Sequence, residues 1–387
     1  MMGAIRCDDA RLAPHISGER FEAVYELWGS EGEAREKAED ICYEQTVEFP
    51  GELIADGLIK RSVVGSLGEL VPAGTGRFRA RILFACETAG KDITQLLNVA
   101  YGNISIKPGI RLVGLDLPPS LLKEYPGPRF GRRGLREVLG VKDRPLSATA
   151  LKPMGLSPAE LADQAYEFAL GGIDIIKDDH GLADQVFCPF MERVARCAEA
   201  VGRANRETGF KSIYMPNVTS RPDRMAGLAL EAKRLGAGGL LVSPMLSGMD
   251  SLALLAEASD LALPIMAHPS FGGIYAVSPQ GGISHGVLYG TLPRILGADA
   301  TVYPNFGGRF SFSKEECMEI SLMTGAPAEG LEPIFPAPGG GMTLERTAEM
   351  VEAYGRDFIL LVGSGLHRGE KSLRENARRL IDMLSKI

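Results

Sequence analysis

Short apolar runs alternate with longer amphipathic stretches from about residue 145 to the end of the chain. Apolar runs of about four to eight residues are typical of buried strands, and apolar positions three or four apart are typical of helices. The best-marked helix begins with Ser157, Pro158 and Glu160, which match the N-cap, N1 and N3 positions of a capping box. The repeated strand and helix pairs predict an α/β TIM (β/α)8 barrel, with an open doubly wound sheet as the alternative. The predicted strands are 147–152, 173–177, 211–217, 238–243, 263–268, 299–304, 333–338 and 358–362.

A different pattern covers the first part of the chain, up to about residue 125. Its strands and helices follow the order β-α-β-β-α-β, which predicts a ferredoxin-like α+β unit. A segment rich in proline and glycine, 118–128, comes next and is typical of a hinge between domains. We therefore expect a ferredoxin-like domain at 1–130 and a barrel domain at 131–387. The predicted strands are 21–27, 61–69, 77–85 and 110–117, and the predicted helices are 31–45 and 94–100.

One predicted barrel strand ends in consecutive ionisable side chains. The apolar run 173–176 contains only one acidic residue and is followed at once by Lys177, Asp178, Asp179 and His180. Alternate residues of a strand share a face, so Lys177 and Asp179 are expected to point into one cavity, with His180 at the turn beside them. The carboxyl ends of barrel strands carry the active site of this fold. The pattern is equally compatible with a catalytic cluster and with a charged turn in solvent, because structural ion pairs also cluster charges, and the rest of the chain decides between the two.

Other predicted barrel strands also end in polar residues or glycines. Glycine-rich loops follow the last two strands, at 339–341 and 363–365, and their N–H groups are suited to a phosphate at a helix N-terminus. Asn217 and His268 have alternatives, because an asparagine can cap the next helix and a histidine can be purely structural. His285 is expected on the surface. The candidate site residues on the common rim are Lys152, Lys177, Asp179, His180, Asn217, His268, Tyr303, Gly339, Gly340, Gly363 and Ser364.

Composition and charge exclude several classes of protein. The net charge of −7 and the pI of about 5.5 argue against a nucleic-acid-binding surface. No apolar run reaches the roughly 18 residues that a membrane helix needs, and charged residues interrupt any signal-peptide core at the N-terminus. The scattered cysteines predict free thiols in a reducing cytoplasm and give no support to a zinc site. They are Cys7, Cys42, Cys86, Cys188, Cys197 and Cys317.

The sequence Leu-Lys-Pro-Met-Gly-Leu-Ser-Pro at 151–158, with Gly-Gly-Ile-Asp at 171–174, resembles the large chain of ribulose bisphosphate carboxylase (Rubisco). More closely it resembles the Rubisco-like proteins of the form IV branch, over nearly the whole chain. The resemblance implies a Mg²⁺ site made of a lysine carbamylated by CO₂, an aspartate and a glutamate. These correspond to Lys177, Asp179 and His180. A histidine in the glutamate position implies another divalent metal, weaker binding or an acid–base role for His180.

The same resemblance implies roles for further residues. Lys152 corresponds to the family's proton-transferring lysine, and His268 corresponds to its histidine after the fifth barrel strand. Glu44 and Asn103 correspond to residues that reach the active site of the partner subunit, which implies a homodimer with shared sites. Tyr303 stands where the family has a histidine after the sixth strand. The residues that correspond to the first phosphate site are Gly339, Gly340, Gly363 and Ser364.

The departures from the family bear on the reaction. Pro269 and Tyr303 replace groups that hold the second phosphate of a bisphosphate, and the loop 305–309 lacks the lysine that polarises CO₂. The resemblance therefore implies an enzyme that forms a metal-stabilised enediolate on a sugar or sugar-acid monophosphate and does not fix CO₂. Asn103 stands where the methylthiopentyl phosphate enolases have a lysine, which favours decarboxylation of a 3-oxo sugar-acid monophosphate or a related C–C cleavage. The alternatives are an enolase or isomerase of methylthio-sugar phosphates in sulfur salvage, and a homologue that only binds a phosphorylated ligand.

Overall fold

The computed structural model describes residues 8–368 and 371–386, so Cys7 lies outside the described residues. The chain divides into two compact units. The first unit comprises the residues up to Tyr125 together with Gly272–Thr291 and Ala328–Gly330, and the second comprises the rest. The domain predicted at 1–130 lacks the two later segments. They join the first unit through contacts between residues distant in sequence, which the sequence pattern does not reveal.

Helices and strands alternate along most of the described chain. Among the described residues, four helices begin with a complete capping box, including the one predicted at Ser157. There the Ser157 hydroxyl accepts a hydrogen bond from the Glu160 N–H, and the Glu160 carboxylate accepts one from the Ser157 N–H. The strands are β1 (Arg20–Trp28), β2 (Ser66–Gly74), β3 (Arg77–Ala85), β4 (Ile110–Asp116), β5 (Leu146–Leu151), β6 (Ile175–Asp178), β7 (Ile213–Met215), β8 (Leu240–Val242), β9 (Ile265–Ala267), β10 (Gly281–Ile283), β11 (Ala300–Pro304), β12 (Phe335–Gly339) and β13 (Ile359–Leu361). The α-helices are α1 (Asp9–Leu12), α2 (Glu31–Glu44), α3 (Cys86–Ala89), α4 (Ile93–Tyr101), α5 (Pro119–Leu122), α6 (Gly131–Leu139), α7 (Pro158–Leu170), α8 (Phe190–Thr208), α9 (Pro222–Arg234), α10 (Pro244–Ser247), α11 (Asp250–Glu257), α12 (Gly273–Ala276), α13 (Leu292–Ile295), α14 (Lys314–Met323), α15 (Thr347–Tyr354) and α16 (Leu373–Leu384). Short 3₁₀ or π-helical turns lie at Ala13–His15, Gly51–Leu53, Ile59–Val63, Asn103–Ile106, Val287–Thr291, Leu344–Arg346 and Ser364–His367.

The first unit is built on a five-stranded sheet with the order β10-β4-β1-β3-β2. β1 pairs antiparallel with both β3 and β4, β2 pairs antiparallel with β3, and β10 adds to β4 in parallel. The first four strands thus have the ferredoxin-like arrangement that the sequence predicts.

The predicted strand at 61–69 is wrong in its position. Residues Ile59–Val63 form a π-helical turn, and β2 begins only at Ser66. β2 is an edge strand with many exposed positions, so the alternation of apolar and polar residues that marks a strand is weak there.

The second unit contains parallel strands in two four-stranded sheets, β13-β5-β6-β7 and β12-β11-β9-β8. A parallel bridge between Asn217 and Leu241 joins the two sheets after β7, and β12 packs beside β13. Each strand overlaps one of the eight segments predicted from the sequence, with ends that differ by at most one or two residues, and helices separate consecutive strands. The predicted α/β barrel is confirmed.

Alternate residues of the barrel strands point into a common apolar core. On β5 these are Leu146 and Ala148, and on β13 they are Ile359 and Leu361. The residues between them face the helices, so counting by twos along each strand shows which residue reaches the inner face at the carboxyl rim. The core residues are Leu135, Leu139, Leu146, Ala148, Ile175, Ile213, Met215, Leu241, Met266, Ala300, Val302, Phe335, Ala337, Ile359 and Leu361.

A cavity of about 530 Å³ lies at the other end of the barrel, before the strands begin. Arg144 and Asp174 form a bidentate ion pair beside it, with N–O distances of 2.7 and 2.8 Å. Lys142 and Lys211 also line this cavity. Because these two lysines lie away from the carboxyl rim, variants at Lys142 and Lys211 are suitable controls for lysine variants at the rim.

Three further expectations concern His285, the cysteines and membrane-spanning helices. His285, predicted on the surface, is buried, and its ring lies 6.1 Å from that of Tyr289 in the same unit. The five cysteines within the described residues are free thiols, and burial raises the pKa of the Cys42 thiol to about 12. Within residues 8–368 and 371–386, no helix is long and apolar enough to cross a membrane.

Candidate active site

The carboxyl ends of β5 and β6 bring two lysines and an aspartate together. Counting by twos from the core residues of each strand places Lys152, Lys177 and Asp179 on the inner face. The Lys152 Nζ lies 2.6 Å from Oδ2 of Asp179. Gln164 of α7 accepts a hydrogen bond from the Lys152 main-chain N–H at 3.3 Å and donates one to its carbonyl at 2.9 Å. The helix that follows β5 therefore fixes the point from which the lysine side chain extends.

Lys177 is the most buried member of this cluster, with 2% of its surface exposed. Its Nζ donates a hydrogen bond to the main-chain carbonyl of Asp178 at 3.0 Å. Burial is the main cause that lowers the pKa of Lys177 to about 8, while the Asp179 carboxylate opposes the shift and the Lys152 ammonium adds to it. Near pH 8 a large fraction of Lys177 is therefore a neutral amine, which is the form that reacts with CO₂ to give a carbamate.

Asp179 is the carboxylate at the centre of the cluster. Besides the contact of Oδ2 with Lys152, its Oδ1 lies 3.1 Å from Nδ1 of His180 and accepts a hydrogen bond from the Gly181 N–H at 3.2 Å. Burial alone would raise the pKa of Asp179, but the hydrogen bonds from His180 and Lys152 outweigh it and hold the pKa well below its usual value. Asp179 is thus ionised at neutral pH, and both of its oxygens have partners.

Two histidines stack beside this carboxylate. The rings of His180 and His268 have centroids 4.5 Å apart and planes 12° from parallel. Burial lowers the pKa of His268 well below its ordinary value, and the charges of Lys177 and His180 reinforce the shift, so His268 is neutral at pH 7. Its Nδ1 shares a 2.9 Å hydrogen bond with the Ser270 hydroxyl, so Nε2 is the ring nitrogen available to a ligand.

Asp178 points away from the cluster, toward the helices. Its carboxylate accepts hydrogen bonds from Nε of Arg193 at 3.1 Å, from the Tyr214 hydroxyl at 2.7 Å and from the Asn217 main-chain N–H at 3.0 Å. The side chains of Asp178 and Arg193 are both fully buried. Burial raises the pKa of Asp178, and the Arg193 guanidinium opposes this shift. Strand alternation indicates the outward direction of Asp178, but no signal in the sequence identifies Arg193 or Tyr214 as its partners.

The substrate contact of Asn217 stays a prediction, and the structure shows its side-chain amide bonded within the protein. Its amide nitrogen donates hydrogen bonds to the carbonyls of His180 and Leu182, both at 2.9 Å. Its amide oxygen accepts hydrogen bonds from the main-chain N–H and the hydroxyl of Thr219, at 3.1 and 2.6 Å. A primary amide offers two donors and two acceptor positions, so all four are used within the protein. The alternative that Asn217 caps the next helix is wrong, since the N-cap residue of α9 is Arg221.

The predicted substrate contact of Tyr303 is also wrong. The core residues of β11 are Ala300 and Val302, so Tyr303 lies on the opposite face, toward the helices. It is completely buried, and this burial, together with the neighbouring Tyr354, raises the pKa of its hydroxyl well above the ordinary value. A tyrosine with no exposed surface on the outer face of the barrel does not line the rim.

The glycine loop after β13 lies beside Lys152. A Cβ atom placed on Gly363 would lie 3.8 Å from Cε and 3.9 Å from Nζ of Lys152. A Cβ atom on Gly365 would lie 2.6 Å from the carbonyl oxygen of Met342, so this loop also touches the loop after β12. Ser364 is exposed between the two glycines. The structure therefore brings one of the two predicted phosphate loops to the end of the Lys152 side chain.

The loop after β12 is held by the loop that follows β11. The carbonyl of Gly339 accepts a hydrogen bond from the Asn305 N–H at 2.9 Å, and that of Gly340 accepts one from the Arg309 N–H at 2.8 Å. A Cβ atom on Gly308 would lie 2.3 Å from the Gly340 oxygen, which explains the glycine at that close approach. These bonds order the turn whose N–H groups a phosphate would need.

Glu44 and Asn103 lie together in the first unit. The Asn103 amide nitrogen donates hydrogen bonds to Oε1 of Glu44 at 3.1 Å and to Oε1 of Glu48 at 3.3 Å. The three residues line a polar cavity of about 280 Å³. Glu48 has a φ of +47°, which is uncommon for a residue other than glycine, and sequence reasoning missed it. The role of Glu44 and Asn103 at a partner's active site stays a prediction.

Charge decides whether the cluster suits a divalent cation. Among the described residues, no group of three or more His, Cys, Asp or Glu side chains could hold a metal ion. Without a carbamate on Lys177, the Lys152 ammonium offsets the single charge of the Asp179 carboxylate, so the cluster has no net negative charge to attract a cation. A carbamate on Lys177 reverses this balance, and its oxygens, the Asp179 carboxylate and the His180 ring then form a donor set for Mg²⁺ or a softer divalent metal. The residues fit the metal on condition that Lys177 is carbamylated.

Comparison with known proteins gives consistent matches to one family. The model of the catalytic domain of the ribulose bisphosphate carboxylase large chain matches residues 132–373. Ribulose bisphosphate carboxylase-like protein 1 of Rhodopseudomonas palustris is 37% identical over 361 residues, which cover 93% of this chain and 96% of that protein. A protein of Rhodospirillum rubrum named 5-methylthioribulose-1-phosphate isomerase is 36% identical over 365 residues, which cover 94% and 96%. The crystal structure of a Rubisco-like protein from Rhodopseudomonas palustris superposes with a TM-score of 0.86 at 38% identity and covers 95% of this chain and 98% of that one.

Proposed function

The chain belongs to the ribulose bisphosphate carboxylase large-chain family, and from this premise we propose that it is a Rubisco-like enzyme that isomerises a phosphorylated keto-sugar through an enediolate. The observation that carries the proposal is the 2.6 Å contact between Lys152 and Asp179, next to the buried amine of Lys177. This contact supports the proposal that Lys152 transfers a proton beside the residues that would hold a metal. The relative named as an isomerase of 5-methylthioribulose 1-phosphate supports a substrate of that class.

Lys152 transfers the carbon-bound proton in this proposal. Isomerisation of a ketose removes a proton from the carbon next to the carbonyl and returns one to the neighbouring carbon. After its ammonium group has released a proton to solvent, Lys152 accepts the carbon-bound proton at Nζ, and the Asp179 carboxylate stabilises the ammonium that forms again. The same ammonium then delivers a proton to the second carbon, so one side chain serves both halves of the reaction.

His268 is the group suited to move a proton between the substrate oxygens. Its ring is neutral at pH 7 because burial depresses its pKa, and a neutral imidazole both donates and accepts a proton. The bond from Nδ1 to the Ser270 hydroxyl and the stack against His180 fix the orientation of the ring. Nε2 is then the atom through which the proton passes.

A divalent cation, when bound, would stabilise the negative charge that develops on the enediolate oxygens. Carbamylated Lys177 and Asp179 would hold it, with His180 as a third candidate ligand. The carbamate forms when the neutral Lys177 amine bonds to the carbon of CO₂ and releases one proton. The lowered pKa of Lys177 supports this step, because it supplies the neutral amine at a pH near 8.

The remaining sequence predictions complete the proposal. The phosphate would bind at the N–H groups of the loops that contain Gly340 and Gly363, with the exposed Ser364 hydroxyl as a further donor. Glu44 and Asn103 would contact substrate hydroxyls in the active site of a partner subunit, which requires a homodimer. Each chain would consist of a ferredoxin-like domain at 1–130 and a barrel domain at 131–387. We place the enzyme in the cytoplasm, where a sugar phosphate and reduced thiols are both maintained.

Mg²⁺ and bicarbonate together should raise the melting temperature more than the sum of their separate effects. A ligand at 100 times its dissociation constant stabilises by about 2.7 kcal/mol, and the carbamate is needed before Mg²⁺ binds. The shift should be larger above pH 8 than below it, since the neutral Lys177 amine predominates there. Differential scanning fluorimetry measures the shift, which Lys177→Met should abolish and Lys211→Met should leave unchanged. Independent, additive effects of the two ligands would contradict carbamylation, and no shift with any divalent metal would favour the binding-only alternative.

The reaction itself can be tested with phosphorylated substrates in D₂O. We expect deuterium to enter 5-methylthioribulose 1-phosphate at the carbon next to the carbonyl, with an isomeric ketose phosphate as the product, both followed by nuclear magnetic resonance. CO₂ release from a 3-oxo sugar-acid monophosphate, without such exchange, would instead favour the decarboxylation predicted from the sequence. Carboxylation of ribulose bisphosphate would contradict both.

A further inference from the structure

The amide of Asn217 links the loop after β6 to the end of β8. Its nitrogen donates hydrogen bonds to the carbonyls of His180 and Leu182, and its oxygen accepts hydrogen bonds from the N–H and hydroxyl of Thr219. The Thr219 hydroxyl in turn accepts a hydrogen bond from the Ser243 N–H at 2.9 Å, directly after β8. Asn217 is 3% exposed and lies at the bridge that joins the two four-stranded sheets. The side chains of Asn217 and Thr219 together thus connect the ends of β6, β7 and β8.

The loop that Asn217 holds is the one that carries Asp179 and His180. The Leu182 N–H donates a hydrogen bond to the carbonyl of Asp179 at 3.0 Å, and the Gly181 N–H bonds its carboxylate. Because the carbonyls of His180 and Leu182 are both bonded to Asn217, this turn cannot rotate without leaving the buried Leu182 carbonyl and the partly buried His180 carbonyl unpaired. The direction of the Asp179 carboxylate and of the His180 ring is therefore set from the end of β7.

We propose that Asn217 is a positioning residue that holds Asp179 and His180 in the geometry needed to bind a divalent cation. The inference rests on the proposed function for the identity of the metal ligands. Residues that orient the ligands of a metal affect its affinity without touching it, typically by about 10- to 100-fold. Asn217 meets that description, since its whole hydrogen-bonding capacity is used on the ligand-bearing loop and its neighbours.

The test compares the Mg²⁺ affinity of the full-length protein and its variants in bicarbonate buffer, by isothermal titration calorimetry. Asn217→Ala should weaken Mg²⁺ binding by about 10- to 100-fold. Thr219→Val, which removes only the hydroxyl that donates to the Asn217 oxygen, should give a smaller loss in the same direction. The matched control is Asn205→Ala, because Asn205 also bonds a peptide N–H and a carbonyl, both of Ser212, but at the other end of the barrel. That control should bind Mg²⁺ as the parent protein does.

Hydrogen–deuterium exchange provides a readout that does not depend on the metal. Asn217→Ala should speed exchange at 180–183 while the exchange of β5 and β13 stays unchanged. Unchanged exchange in this loop, or parent-like Mg²⁺ affinity in both Asn217→Ala and Thr219→Val, would overturn the proposal. If Asn217→Ala fails to fold, parent-like affinity in Thr219→Val alone would overturn it. If the parent protein itself binds no metal, the metal part of the proposed function fails, and slow exchange that the variant accelerates would still support the positioning role of Asn217.

Discussion

Replacement of Lys152 by methionine should lower turnover by about 10²- to 10⁴-fold, the usual contribution of a proton-transferring side chain. Methionine keeps the length and much of the volume of lysine but cannot accept or donate the proton. Deuterium exchange into the substrate should fall in parallel with turnover, because both need the same group at the same carbon. The dissociation constant of a phosphate-bearing substrate analogue should change little, since the phosphate is proposed to bind to main-chain N–H groups.

The controls for this variant separate chemistry from structure. Lys142→Met removes a lysine at the other end of the barrel and should leave turnover unchanged. Lys152→Arg keeps a positive charge near Asp179 but makes a poor base at neutral pH, so it should be nearly as inactive as Lys152→Met. Deuterium exchange at the parent rate in Lys152→Met would assign the proton transfer to another residue, and His268 would be the first to consider.

The fold and the centre of the candidate site could be predicted because they depend on local periodicity. Each barrel strand is a short apolar run between helices, and the alternation along β6 places Lys177 and Asp179 on one face while Asp178 faces the other. The same counting by twos, applied to β11, would have placed Tyr303 on the outer face. That error came from using the family position of the residue without its direction on the strand.

The features that could not be predicted depend on contacts between residues distant in sequence. The bonds of Asn217 to two carbonyls before it and to Thr219 after it become visible only when β6 and β7 are neighbours. Asp178 finds its partners on α8 and β7 for the same reason, since an arginine within an amphipathic helix ordinarily faces solvent. A sequence indicates which face a residue occupies, whereas its partner across that face depends on the register of elements brought together by the fold.

Replacement of Arg193 by methionine should destabilise the protein by about 3–5 kcal/mol, the cost of leaving one member of a buried ion pair unpaired. Both side chains of the pair with Asp178 have no exposed surface, and the Asp178 carboxylate would keep only the bonds from Tyr214 and Asn217. The free energy of unfolding from urea denaturation, followed by far-ultraviolet circular dichroism, measures the loss. Trp28 is the sole tryptophan and lies in the first unit, so its fluorescence reports separately on that unit.

A matched control lies on the same helix. Arg196 forms an exposed pair with Glu192, so Arg196→Met should cost about 0.5 kcal/mol or less. The double variant with Asp178→Asn should recover part of the stability lost in Arg193→Met, because it removes the unpaired charge. The loss in Arg193→Met should also shrink as the pH falls. The Arg193 guanidinium opposes the rise that burial causes in the pKa of Asp178, so its removal raises that pKa further and the folded variant takes up the proton at a higher pH than the parent. A loss of stability that is small and independent of pH would show that Arg193 is not needed to neutralise Asp178 on the outer face of β6. The orientation of Lys177 and Asp179 would then depend mainly on the loop that is hydrogen-bonded to Asn217.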